Sequence, residues 1–191
     1  MFAQKNKYYL FIENTRDFNL NLIKIRNKIN IIYRNKNTTD NIQDLLNFRK
    51  NCKKKGVNFF VANDKRLLSK LNADGLYISA HNVNLLLNIF SKSKYKIIGS
   101  AHNQREVDIK IKQGCKTIIY SRLFKTGYDY KKGHLGVIKF NIISHRLKLN
   151  LVPLGGINEK NLCKLNTVVS NSFACLSAIK KKPAKIINRL F

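Results

Sequence analysis

Five short polar groups in this chain each stand just after an apolar, β-rich run. Arg34 and Lys36 follow Ile29-Asn30-Ile31-Ile32-Tyr33, and Asn63-Asp64 follow Val57-Asn58-Phe59-Phe60-Val61-Ala62. Ser100-Ala101-His102 follow Tyr95-Lys96-Ile97-Ile98-Gly99, and Thr126 comes shortly after Thr117-Ile118-Ile119-Tyr120. Gly155-Gly156 follow Leu149-Asn150-Leu151-Val152-Pro153-Leu154. If these runs are parallel strands of one sheet, all five groups land on the same rim. Cations, one carboxylate, hydroxyls and a glycine pair on one rim are the materials of a phosphate-handling site.

The elements that would position them alternate along the chain. Strands are expected at about 8–13, 29–33, 57–62, 75–78, 95–99, 116–121 and 149–154. The last strand is either Thr167-Val168-Val169 or Phe173-Ala174-Cys175-Leu176. Between them lie helical segments at about 18–27, 40–54, 65–71, 104–113, 135–147 and 158–165, and an amphipathic helix at 178–189. Ile42, Leu45, Leu46 and Phe48 share one side of the second of these, with Asp40 near its start. The apolar run Val83 to Phe90 reads as a buried helix, and 122–134 as a polar loop. Strands separated by helices imply parallel pairing with right-handed crossovers. Eight such units predict one compact (β/α)8 TIM barrel over residues 1–191, with a doubly wound open sheet as the structural alternative.

Bulk properties narrow the function classes. Hydrophobic content of 44% is ordinary for a globular chain, and no apolar run reaches the roughly 18 residues of a membrane span. Met1 to Lys7 and the short run Tyr8 to Ile12 make a poor secretory signal, so the expected location is cytoplasmic. Cys52, Cys115, Cys163 and Cys175 stand far apart and read as free thiols. The net charge of +27 resembles a nucleic-acid signature, but the basic residues are dispersed. Lys53-Lys54-Lys55 falls at a helix C-terminus, where cations favour the macrodipole, and Lys180-Lys181-Lys182 in the first turn of the last helix. No specific nucleic-acid partner is expected, although the field would attract polyanionic small molecules.

Seven segments in order carry a resemblance. They are Tyr33-Arg34-Asn35-Lys36, Asn63-Asp64, Ala73-Asp74-Gly75, Ile97 to His102, Phe124-Lys125-Thr126, Leu154-Gly155-Gly156-Ile157 and Leu176-Ser177-Ala178-Ile179. Together the sequence resembles the thiamine phosphate synthase family, whose superfamily includes the thiazole tautomerases. The resemblance implies a (β/α)8 barrel, Mg²⁺, and a transferase in thiamine biosynthesis. Its substrates would be an aminopyrimidine pyrophosphate and a thiazole phosphate. It also implies roles: Arg34 and Lys36 as a pyrophosphate clamp, Asn63 and Ser100 as pyrophosphate contacts, and Asp64 as a metal-ligating carboxylate. Thr126 would be a further hydroxyl contact, and Lys131 or Lys132 a loop lysine on the pyrophosphate. His102 accompanies Ser100, and Gly155, Gly156 and the Ser177 amide would hold the thiazole phosphate. Ser177 would then end a last strand at about 172–176.

The sequence also departs from the family pattern in several places. A pyrimidine-reading glutamine is Ile32 here, and the acid between clamp arginine and lysine is Asn35. The segment His-x-Gly-Gln-x-Asp is replaced by Tyr77-Ile78-Ser79-Ala80-His81-Asn82, which turns a second metal carboxylate into the amide of Asn82. A tautomerase histidine would fall on Arg122. Two alternatives therefore stand beside the synthase: a thiazole tautomerase-like enzyme, and a degenerate barrel that binds a phosphate or pyrophosphate ligand without turnover.

Overall fold

The computed structural model describes residues 7–35, 40–127 and 133–175. Eight strands run β1 (Lys7–Ile12), β2 (Ile29–Tyr33), β3 (Asn58–Ala62), β4 (Gly75–Ile78), β5 (Lys96–Ala101), β6 (Thr117–Ser121), β7 (Asn150–Leu154) and β8 (Ser172–Cys175). Each pairs in parallel with the next, and β8 pairs with β1, so the sheet closes into a barrel in chain order. This settles the choice against an open sheet, and the last strand is the Phe173-containing one.

Because successive strand residues point to opposite faces, each strand contributes to two cores. Tyr9, Phe11, Ile32, Phe60, Tyr77, Ile98, Ile119, Val152 and Ala174 fill the barrel interior. The intervening residues, such as Leu10, Ile31, Phe59 and Ile118, face outward against the helices. Those helices are α1 (Ile42–Lys54), α2 (Lys65–Lys70), α3 (Gln104–Lys112) and α4 (Gly136–Leu147). Leu45, Phe48 and Cys52 of α1, Leu68 of α2, Val107 of α3 and Phe140 of α4 turn inward onto the sheet. Asp74 of the Ala73-Asp74-Gly75 segment belongs to the opposite end of the barrel. It accepts from Phe59 N at 2.7 Å and pairs with Arg49 at 2.9 Å, tying α1 to the start of β4.

Several connections differ from the periodic reading. Residues 18–27 form no α-helix: the connection holds short 3-10 turns at Thr15–Asp17 and Leu20–Leu22. Asn14 and Asn19 accept from the backbone two residues on, and such side-chain bonds compete with helix continuation. Val83 to Phe90 is not a buried helix: from Leu85 on, its residues belong to an exposed 3-10 segment, Leu85–Lys92. Leu87 alone of that segment is buried, while Val83, Leu85, Leu86 and Ile89 are exposed. Ser91 and Ser93 hydroxyls take the carbonyls of Asn88 and Phe90, so the turn tightens instead of continuing. The helix expected at 158–165 is a 3-10 segment, Leu162–Thr167. Asn41 caps α1, and Asp40 just before it accepts from Thr15 N at 3.0 Å. The helix expected at 178–189 lies outside the described residues.

Candidate active site

The period-two alternation that fills the barrel also builds its mouth. One step beyond the interior residues Ile32, Tyr77, Ile98, Ile119 and Val152, the same inward face presents Arg34, Ser79, Ser100, Ser121 and Leu154. With Phe11, Tyr77, Ala80, His81 and His102 these residues line a pocket at the C-terminal ends of the strands. Active sites of this architecture lie at that face. Among the described residues the wall carries one arginine, two histidines and three serine hydroxyls, and no carboxylate. Its chemistry suits an anion.

The floor is apolar and aromatic. The Phe11 and Tyr77 rings meet edge to face with centroids 5.3 Å apart. Ile32 is fully buried beside them in the interior cluster. Burial pushes the Tyr77 phenol above its ordinary value; a hydrogen bond with Ser100 and the charge of Arg34 act against that push. Arg34, half-buried just past β2, and Ser100, buried on β5, therefore converge on one phenol.

The β3 and β4 ends are cross-linked by amides. Asn63 has a left-handed backbone (φ 58°), a conformation that costs a non-glycine residue roughly 1–2 kcal/mol. Its side chain explains why it stays there. Nδ2 donates to Ser79 Oγ at 3.0 Å, while Oδ1 accepts from Ser79 N at 3.0 Å and from Asn82 Nδ2 at 3.2 Å. Asp64 follows as the N-cap of α2, accepting from Leu67 N at 2.9 Å. Both residues are exposed on the rim beside the pocket rather than in its wall.

On the far side, His102 Nδ1 lies 2.6 Å from Ser121 Oγ, and His102 N donates to Glu106 Oε2 at 2.7 Å. Asn103 caps α3 by accepting from Glu106 N, so the entrance of that helix fixes the imidazole. Ser121 belongs to none of the five polar groups of the sequence. The usable signal was its place at the end of β6, one strand over from Ser100 and in the same inward register.

Past β6 and β7 two loops are zipped together. Leu123 N donates to Leu154 O at 2.9 Å and Phe124 N to Gly155 O at 3.0 Å. Gly155 and Gly156 both have positive φ, 102° and 69°. A Cβ on Gly156 would collide with the carbonyl oxygens of Phe124 and Lys125, whereas one on Gly155 would meet the Arg122 side chain at 3.0 Å. Arg122 Nη1 in turn donates to Thr126 Oγ1 at 3.1 Å. Thr126, Arg122 and the glycine pair thus sit together, on the same rim as the pocket.

The sequence-derived candidates therefore divide three ways. Arg34, Ser100 and His102 meet in the pocket; Asn63, Asp64, Thr126, Gly155 and Gly156 stand on the surrounding rim. Lys36, Lys131 and Ser177 lie outside the described residues.

The Mg²⁺ expectation meets a poor donor set. Among the described residues no three His, Cys, Asp or Glu side chains gather as metal ligands. Asp64 is a lone rim carboxylate already capping a helix, and Asn82 spends both ends of its amide, on Asn63 and on the Asn84 N–H at 3.1 Å. A hard divalent cation needs six oxygens and favours carboxylates. The described residues do not make a resident Mg²⁺ site.

Fold and site together define a (β/α)8-barrel protein with a polar, anion-suited pocket at the C-terminal mouth. The chain belongs to the thiamine monophosphate synthase family, whose model matches residues 8–179. It is 27% identical over 144 residues to a thiamine-phosphate synthase of Prochlorococcus marinus subsp. pastoris, a match covering 75% of this chain and 41% of the relative. A thiamine-phosphate synthase of Pelagibacter ubique is 29% identical over 148 residues, covering 74% and 71%. The matched stretch thus spans less than half of the Prochlorococcus protein. Among solved structures, a thiamine phosphate pyrophosphorylase from Pyrococcus furiosus shares the fold with TM-score 0.73 at 17% identity, over 98% of each chain. A 3-keto-L-gulonate-6-phosphate decarboxylase from Vibrio cholerae shares it at TM-score 0.64 and 14% identity, covering 97% of this chain and 95% of that one. Among the described residues no helix is long and apolar enough to cross a membrane.

Proposed function

We propose that this barrel joins an aminopyrimidine pyrophosphate to a thiazole phosphate, releasing pyrophosphate and forming thiamine phosphate. The observation that carries the reading is the convergence of Arg34 and Ser100 on one pocket at the strand ends of a family member. In this reaction the bond between the pyrimidine methylene and the pyrophosphate oxygen breaks, with the electron pair leaving on pyrophosphate. The thiazole nitrogen then forms the new C–N bond with its lone pair, and no proton need move. The barrier lies in separating a carbocation from a polyanion, so charge stabilisation on the leaving group is the largest lever.

Arg34, with Lys36 from the sequence, takes the leaving pyrophosphate, helped by Ser100 and the rim amide of Asn63. Thr126 adds a hydroxyl, and Lys131 is the candidate loop cation. Gly155 and Gly156 let backbone N–H groups approach the thiazole phosphate, with Ser177 as a further amide. His102, held by Ser121, keeps the wall polar beside Ser100. Mg²⁺ enters this scheme only as a companion of the pyrophosphate substrate. Arg122, bonded to Thr126, offers no general base at the position where the tautomerase reading wants a histidine.

One observation favours a second reading, ligand binding without turnover. Ile32 is fully buried in an apolar floor, and no described side chain there matches the pyrimidine-reading amide of the family pattern. A coupled assay separates the two: both substrates are supplied with Mg²⁺, and thiamine phosphate is detected. Product formation that falls tenfold or more in Arg34→Ala supports transfer, since a charge-assisted contact is worth about 1.5–3 kcal/mol. Saturable pyrophosphate binding without product supports the second reading. Neither product nor binding removes both.

A further inference from the structure

Lys110, in the last turn of α3, is the one fully buried lysine among the described residues. Taking an ammonium out of water costs several kcal/mol unless its donors are met. Here no carboxylate meets them. Nζ donates to the backbone carbonyl of Asn82 at 2.6 Å and to Gln113 Oε1 at 2.7 Å. Gln113, also fully buried, sends its Nε2 to the same Asn82 carbonyl at 2.9 Å and to Asn84 O at 3.0 Å. Burial lowers the Lys110 pKa, while Cys115 and Glu106 act the other way.

The sequence clears a path for this side chain. A Cβ on Gly99 of β5 would stand 2.9 Å from Lys110 Cδ and 3.0 Å from Cys115 Sγ. Gly99, Lys110 and Gln113 therefore agree on placing a cation beneath the turn that follows β4.

That turn is the one that reaches the site. Asn82 N closes it onto Ser79 O at 3.1 Å, and Ser79, Ala80 and His81 line the pocket. From its upper side Asn82 Nδ2 reaches Asn63, which Ser79 holds by two more bonds. One continuous chain of contacts runs from a buried ammonium to the rim amide: Lys110, Asn82, Asn63. The carboxylate that the family pattern places at this position would put a negative charge against Asn63 Oδ1; an amide lets the rim lock without a metal.

We propose that Lys110 is a positioning residue of this site: its ammonium pins the β4 turn from below, so that Asn82 and Ser79 hold the Asn63 amide on the rim. Lys110 does so without touching a ligand. The part that concerns ligand binding rests on the proposed function above, in which Asn63 contacts pyrophosphate.

The test uses the full chain and two readouts. One is the side-chain amide NMR signals of Asn63 and Asn82, and the other is calorimetric affinity for inorganic pyrophosphate. Lys110→Met keeps an unbranched side chain one atom shorter and removes the charge. It should shift both amide signals and weaken pyrophosphate binding by roughly five- to tenfold, the equivalent of one lost anchoring hydrogen bond. Val107→Ala, on the same helix and fully buried, should lower thermal stability and leave both readouts at wild-type values. Should Lys110→Met not fold, Gln113→Leu removes the neighbouring bonds to the same carbonyl and should move the same two signals. Unmoved amide signals in both variants would overturn the proposal, as would equal loss of affinity in Val107→Ala at matched stability. If wild type itself ignores pyrophosphate, the functional reading falls and the amide signals alone decide the role of Lys110.

Discussion

Asn63 and Ser79 bond to each other twice. The Asn63 amide nitrogen donates to the Ser79 hydroxyl at 3.0 Å, and the Ser79 backbone N–H donates to the Asn63 amide oxygen at 3.0 Å. This pair staples the end of β3 to the end of β4 and holds a non-glycine residue at φ 58°.

The staple separates backbone strain from side-chain function at one position. Asn63→Gly relieves the left-handed strain and loses the amide; Asn63→Ala loses the amide and keeps the strain. Thermal melts should place Asn63→Gly above Asn63→Ala by the equivalent of about 1 kcal/mol. Both should lose pyrophosphate affinity in calorimetry. Equal affinity in wild type and Asn63→Gly would remove Asn63 from the site.

The two glycines after β7 should respond unequally. An alanine at Gly156 runs into the Phe124 and Lys125 carbonyls, which cannot step aside without moving the 122–127 loop. An alanine at Gly155 meets Arg122 no closer than 3.0 Å, a contact that a shift of a few tenths of an ångström relieves. Both changes strain a positive φ, but Gly156→Ala should cost more stability and more thiazole-phosphate affinity than Gly155→Ala. Denaturant midpoints and ligand titrations of the two variants check the order, and the reverse order would contradict the loop packing described.

Asp64 has a measurable structural role that can be held constant while its charge is removed. Asp64→Ala should destabilise by about 1 kcal/mol through loss of the α2 cap, whereas Asp64→Asn keeps a capping oxygen and should melt near wild type. Mg²⁺ titrated into the ligand-free protein should give no saturable heat, because one carboxylate is too few ligands for that ion. Tight Mg²⁺ binding without pyrophosphate would refute the reading of this rim as metal-poor.

Alkaline pH should unfold the protein early. Burial pushes the thiols of Cys52, Cys115 and Cys175 from 9.0 to about 12, and the Tyr9 phenol from 10.0 to about 12. The unfolded chain gives up these protons first, so their contribution is complete below about pH 9 and is lost as pH rises toward 12. Lys110 acts with the opposite sign, since its lowered pKa makes the unfolded state the tighter proton binder below 10.5. With the Tyr77 and Tyr120 phenols, which burial also pushes up, six groups outweigh one. Urea midpoints should therefore fall between neutral pH and about pH 11, and Cys52→Ala should flatten the fall. A midpoint constant over that range would show that the thiols ionise freely in the native state.

The parallel sheet and its eight units were legible in the sequence because eight β-rich runs alternate with connecting segments and parallel strands need crossovers; the β8–β1 pairing decided for the barrel against the open alternative. Their places at or just past the strand ends also put Arg34, Ser100 and Gly155 on one rim, once the runs are parallel. The resemblance of seven ordered segments pointed to the family. What the sequence left open is set by contacts between residues far apart in it. The 3-10 character of 85–92 comes from serine hydroxyls that take helix carbonyls locally, which apolar periodicity does not register. The pairing of His102 with Ser121, the two hydrogen bonds between Asn63 and Ser79, and Arg122 against Gly155 join neighbouring strand ends 16 to 33 positions apart. Lys110 is the clearest case: in sequence it is one more lysine on an amphipathic helix of a lysine-rich chain. Only closing β5 onto α3 across Gly99 puts its ammonium beneath Asn82, because burial and hydrogen-bond satisfaction are properties of the packed neighbours and not of the residue.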